Sequence, residues 1–185
     1  MKEKNEIIKT IEFNENIKAF LLPTEAKRLG ILLNIQKWIR TKQNIYLEEV
    51  LRNNQIFEMY SLHNLITTRG RNVLTGLLAG DTTYTGEINY GALGTGTTPV
   101  ANSDIKLETE TFRNAVASQA FADNVAYVDF FYDATEVVGT FTEFGNFIDG
   151  TGSADSGRIF SHFLTGGWVK PATQSLFVSC QYTLL

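Results

Sequence analysis

Fourteen of the fifteen glycines in this 185-residue chain follow position 60, and only Gly30 precedes it. Glycine punctuates a backbone at turns, bulges and close approaches. The chain beyond residue 60 is therefore expected to consist of many short elements joined by tight loops, and the part before it of longer elements or an extended arm. Charge divides at the same place. Residues 1–60 carry ten Lys/Arg against eight acids, whereas residues 61–185 carry six against twelve. The net charge of −4 is thus the sum of a mildly basic, glycine-poor region and an acidic, glycine-rich one. The length predicts one principal domain. Such a domain buries about 70% of its unfolded surface and needs neither metal nor disulfide to hold a core. A lone cysteine, Cys180, excludes an internal disulfide framework.

Other classes fall on the same arithmetic. No apolar run approaches the roughly 20 residues of a membrane-spanning helix. The first residues interleave lysine with glutamate and lack the apolar core of a signal peptide. An acidic chain offers no global basic field for a nucleic-acid backbone. The expectation is a protein that binds neither membrane nor nucleic acid.

Periodicity then places the elements. Residues 1–22 carry Ile7, Ile11, Phe13, Ile17 and Phe20 in no clean helical or strand period. They are read as an interaction arm that lays apolar side chains on another surface. A first strand packed on its own domain is the alternative. Residues 23–185 are read as a β-sandwich domain. Within it, residues 23–66 supply strands of uncertain pairing. From Gly30, the alternation of Ile31, Leu33, Ile35, Lys37 and Ile39 predicts a strand, against a helix capped by Thr24. Residues 45–52 fit either type, and 55–66 read as a strand. Residues 68–79 form the one short helix expected, with Val73, Leu74, Leu77 and Leu78 on one face and Gly80 at its end. Strands follow over 87–93, 113–121, 124–135, 139–148, 157–164 and 173–184. In the last of these, Leu176, Val178, Cys180, Tyr182 and Leu184 face one way and Phe177, Ser179, Gln181 and Thr183 the other, which predicts one buried and one more polar face. The fold class is therefore mainly β: an antiparallel, jelly-roll-like β-sandwich with one short helix and an N-terminal arm.

Candidate chemistry is sparse. The run from Gly91 through Gly94 and Gly96 to Pro99 is glycine-rich, but it has neither the lysine of a phosphate loop nor the G-x-G-x-x-G order of a dinucleotide site. It reads as a tight, bulged strand exit. His63 and His162 are the only histidines, each without a neighbouring Cys or His, so no zinc spacing exists. Ser161 and His162 are adjacent on a strand, where side chains point to opposite faces, which argues against a nucleophile–base pair. Glu108, Glu110 and Glu143 could serve a hydrolase only across a shaped cleft. Glu110 is read as the partner of Arg113, and Glu143 as an acceptor for loop backbone donors. Calcium in the Asp149–Asp155 loop lacks EF-hand spacing. Of the thirteen phenylalanines most are read as core and some as interface anchors, and Trp168 and Tyr132 are candidates for stacking on a sugar. No cofactor is implied.

Several segments taken in order resemble a known group. They are His63–Thr67 with Gly70 and Arg71, the Ile88–Thr98 stretch containing GALGTGTT, the LETETFR segment (Leu107–Arg113), Thr142–Gly145 with its TEFG, Gly157–His162, and the terminal strand after Lys170. Over roughly residues 55–185 this order resembles tailed-bacteriophage virion proteins of the tail-fibre, baseplate or collar type. The resemblance implies a non-enzymatic, homo-oligomeric structural subunit (a trimer, a hexamer or lattice-bound copies). It would assemble with other virion proteins in the cytoplasm of a bacterial host. Capsid decoration or a head fibre is the alternative location, and a β-sandwich module binding a host-surface glycan the alternative class. There is no collagen-like or heptad shaft.

Overall fold

The computed structural model describes residues 17–24, 30–52, 56 and 58–184. Its architecture is organised by the strand with the clearest alternation, β10 (Gln174–Thr183), which lies between β1 (Ile17–Pro23) and β7 (Val125–Tyr132). With β2 (Glu58–Leu62) outside β1 and β6 (Ser118–Ala122) outside β7, these make a five-stranded antiparallel sheet of order β2-β1-β10-β7-β6. The second sheet has order β3-β9-β8-β4-β5. It comprises β3 (Leu65–Ile66), β9 (Arg158–Lys170), β8 (Gly139–Ile148), β4 (Ile88–Gly94) and β5 (Glu110–Ala115). The pairing is nested, β1 with β10, β3 with β9, β4 with β8 and β6 with β7, which gives the sandwich its jelly-roll-like character. Between the sheets lies an aromatic core that includes Phe130, Tyr132, Phe144, Phe163 and Trp168. Phe144 meets the rings of Phe130, Phe163 and Trp168 at centroid distances of 5.3–5.9 Å, in tilted or edge-on contacts.

The N-terminal strand corrects the arm reading where it can be seen. Ile17 pairs with both Cys180 and Leu62, and β1 is an interior strand of its sheet. Ile17, Ala19 and Leu21 enter the inter-sheet core, while Phe20 and Leu22 enter a second cluster on the opposite face. Ile17 and Phe20 are fully buried by the chain's own residues, so neither is available to a neighbour. Ile7, Ile11 and Phe13 lie outside the described residues.

The strand expected from Gly30 onward is an α-helix, α1 (Ile31–Thr41), followed by α2 (Asn44–Arg52), so the described residues hold three helices where one was expected. Both periods are present in this segment. The helical one sets Ile31, Ile35, Trp38 and Ile39 on a single buried stripe, whereas Leu33, which alternation would have buried, is 54% exposed. The tertiary reason lies beneath the helix. Phe20, Leu22, Tyr127, Phe131 and Phe177 project from the outer face of the first sheet, and α1 and α2 cover them. The face of β10 expected to be more polar is therefore buried as well. A charged post orients α1 on that face. Asp129 of β7 accepts hydrogen bonds from Arg40 Nη2 (3.1 Å), Gln36 Nε2 (3.0 Å), Ser118 Oγ (2.7 Å) and Ser179 Oγ (2.6 Å).

Two runs read as single strands are each split between the sheets. Residues 55–66 contain β2 in one sheet and β3 in the other, with the break at His63–Asn64. Residues 113–121 contain the end of β5 and most of β6, crossing over at Val116–Ala117.

The predicted helix is present as α3 (Thr68–Leu78). Thr67 caps it by accepting a hydrogen bond from the Gly70 N–H (3.0 Å). Val73 is buried as expected, but Leu78 is 90% exposed. Gly70 is required by proximity, since a Cβ there would stand 2.5 Å from the Phe160 carbonyl oxygen. Gly70→Ala gains about 1 kcal/mol of helix propensity, but it forces α3 off β9. It is expected to destabilise the protein by about 1–3 kcal/mol net, measured by urea unfolding. A stabilised variant would show that α3 can shift freely.

Candidate functional site

The long connection between β4 and β5 crosses the outer face of the second sheet, and one carboxylate pins it there. Phe144 faces the inter-sheet core, so its neighbour Glu143 faces outward. Glu143 Oε1 accepts hydrogen bonds from the N–H groups of Gly96 (2.8 Å) and Thr109 (2.8 Å), and Oε2 accepts from the N–H of Glu108 (2.9 Å). The neighbouring Thr142 hydroxyl donates to the Gly96 carbonyl (2.7 Å). Glu108 in turn caps the loop, its Oε2 accepting from the Thr97 and Thr98 N–H groups at 2.8 Å each. Burial raises the cost of the Glu143 charge. Hydrogen bonds from His162 and the three amides outweigh that cost and hold the carboxyl's pKa down at about 2.

The glycines fit this clasp. β4 leaves the sheet through a bulge between Leu93 and Gly94, and a Cβ on Gly96 would lie 2.5 Å from both Glu143 Oε1 and Glu108 Cβ. Gly91 is stacked under the Phe130 ring, where a Cβ would come within 2.6 Å. At Gly145 a Cβ would meet Leu107 at 2.8 Å, and Leu107 packs with Ala92, Phe147 and Ile159 in a small cluster beneath the loop.

His162 completes the arrangement from β9. Its Nε2 lies 3.0 Å from Glu143 Oε2, and its Nδ1 lies 2.7 Å from Asp104 Oδ2. Burial opposes a charged ring, but the hydrogen bonds to Glu143 and Asp104, with their charges, hold the pKa above the ordinary value. A cleft of about 300 Å³ opens beside the ring, lined by Thr98, Ser103, Asp104, Lys106 and Glu108 among others.

A second charged unit closes the other end of the same face. Arg113 forms a bidentate pair with Glu110 at 2.5 and 2.6 Å, both side chains being 3% exposed. Its guanidinium lies 4.5 Å from the Phe147 ring centroid, and Nη1 donates to the carbonyls of Thr151 and Ser156 at 3.1 Å. This pair holds the 149–157 loop. Asp149 is taken up by the N–H and hydroxyl of Thr85, and Asp155 by Lys106. Among the described residues no group of three or more His, Cys, Asp or Glu converges on a metal position.

Each charged group of the two units is engaged by another group of the chain. Ser161 lies on the opposite face from His162, its hydroxyl 2.8 Å from the Tyr182 hydroxyl in a buried cluster with Asn146. The hydroxyl and imidazole therefore do not meet. Trp168 and Tyr132 are both fully buried in the inter-sheet core, which removes them as a sugar-stacking surface.

Residue types and spacing pointed to Glu110, Arg113, Glu143 and the glycines, but not to Asp104, which sits in an irregular loop with no pattern around it. His162 offered only its strand position. The molecule is thus a β-sandwich covered on both outer faces, by helices on one sheet and on the other by a loop clasped around a buried carboxylate. No protein-family model, curated protein or solved structure matches the chain.

Proposed function

We propose that this chain is a non-enzymatic structural subunit of a tailed-bacteriophage virion, an assembly component of the tail, baseplate, collar or fibre attachment. One observation carries the reading. The two most specific segments of the resemblance, GALGTGTT and LETETFR, are bound by the same carboxylate, Glu143, through Gly96, Glu108 and Thr109. Their order and spacing therefore serve one loop-on-sheet unit, of the kind an assembly scaffold uses. The charges that a hydrolase would use are committed to holding that unit together.

The test has two arms. Light scattering of the purified protein should give a trimer or hexamer, and mass spectrometry of purified particles from a host producing the protein should find it in stoichiometric amounts. A protein absent from particles that shows saturable binding on a glycan array would replace this reading with the glycan-module one.

A further inference from the structure

We propose that His162 is a proton-gated latch: with a proton on both ring nitrogens it ties the β4–β5 loop to the second sheet, and loss of one proton releases the loop at Asp104. The geometry demands the doubly protonated ring, because each nitrogen faces a carboxylate oxygen and a carboxylate can only accept. A neutral imidazole donates from one nitrogen alone. Its other lone pair would then face a carboxylate oxygen, either Asp104 Oδ2 at 2.7 Å or Glu143 Oε2 at 3.0 Å.

The two partners differ in how firmly they are held. Glu143 is 1% exposed and fixed by three backbone amides, whereas Asp104 is 23% exposed and its Oδ2 accepts from one amide, that of Ala101 on the same loop (2.9 Å). The neutral ring therefore keeps its proton toward Glu143, and Asp104 is the contact that yields. Other charges around the ring do not supply a substitute. Lys106 is paired with Asp155 at 2.7 Å, Glu108 is bound to Thr97 and Thr98, and Arg71 of α3 holds the loop at Asn102 (2.9 Å). Arg71 thus leaves a hinge at Asn102 while the edge at 103–106 opens the cleft. The sign follows from the raised pKa of the ring: the latch is closed below the ordinary histidine value near 6.5 and opens as pH rises through the higher folded value. This inference is independent of the virion reading.

The test is an NMR titration of the full chain. The His162 ring resonance should titrate above pH 6.5, and the amides of 101–106 should shift and lose hydrogen-exchange protection with the same midpoint. In Asp104→Asn the midpoint should fall by roughly one unit or more, and the ring titration should no longer move those amides. A ring that titrates without disturbing 101–106, a midpoint unchanged by the substitution, or a ring that stays charged until the whole protein unfolds would each overturn the proposal.

Discussion

Replacing Glu143 by alanine is expected to remove about 3–5 kcal/mol of stability, the cost of breaking a buried, hydrogen-bonded charge pair. The substitution strands three amides, those of Gly96, Glu108 and Thr109, and leaves the His162 ring with Asp104 as its carboxylate partner. For a domain of this size that corresponds to a fall in Tm on the order of 10 °C, read by calorimetry. Glu143→Gln keeps the shape and one acceptor oxygen, but places an NH₂ group against donors and should fall between alanine and the native protein. The acid limb carries the same information. Because folding lowers the Glu143 pKa from 4.5 to about 2, its contribution is complete above pH 4.5 and is lost as pH falls through about 2. A Glu143→Ala protein should therefore show a flatter stability curve between those values. If it melts within a degree of the native chain, the loop is held by other contacts.

Deleting residues 1–22 should abolish folding. The deletion removes all but the last residue of β1, an interior strand hydrogen-bonded on both sides, and with it the fully buried side chains of Ile17, Phe20, Leu21 and Leu22. At roughly 1.5–3 kcal/mol per buried apolar side chain, these four contribute about 6–12 kcal/mol, comparable with the whole stability of a typical domain. The expected product is unfolded or insoluble, with collapsed amide dispersion in its proton spectrum. A folded product would mean that β2 can close directly on β10. This outcome separates an integral first strand from a detachable arm more sharply than any single substitution.

Much of the sandwich was legible because strand periodicity is a local property. Residues 139–148 bound β8 without error, whereas the strand expected over 157–164 runs on through Gly166 and Gly167, read as a turn, to Lys170 as β9. The segment from Gly30 shows the limit. Ile31, Ile35, Trp38 and Ile39 satisfy a helix while the intervening Leu33 satisfies a strand, and nothing within eleven residues decides between them. What decides is the row of aromatic side chains on the outer face of the first sheet, contributed by β1, β7 and β10. Only a helix pair with a buried stripe covers it.

The clasp divides in the same way. The Glu110–Arg113 pair lies three residues apart, and its chemistry could be read directly from the spacing. Glu143 could be assigned a backbone-binding role, but not its partners, since Gly96, Glu108, Thr109 and His162 come from three separate stretches of chain. Sequence by itself determined the β class, the positions of most strands beyond residue 87 and the tight, bulged strand exit through Gly91, Gly94 and Gly96. Each of these follows from short-range periodicity or the absence of a side chain. Tertiary structure alone decided that the first strand is interior, that residues 31–41 are helical, and that His162 is held between two carboxylates. In each case the deciding partner is brought in by strand pairing or by a loop folding back, over separations that no local pattern records.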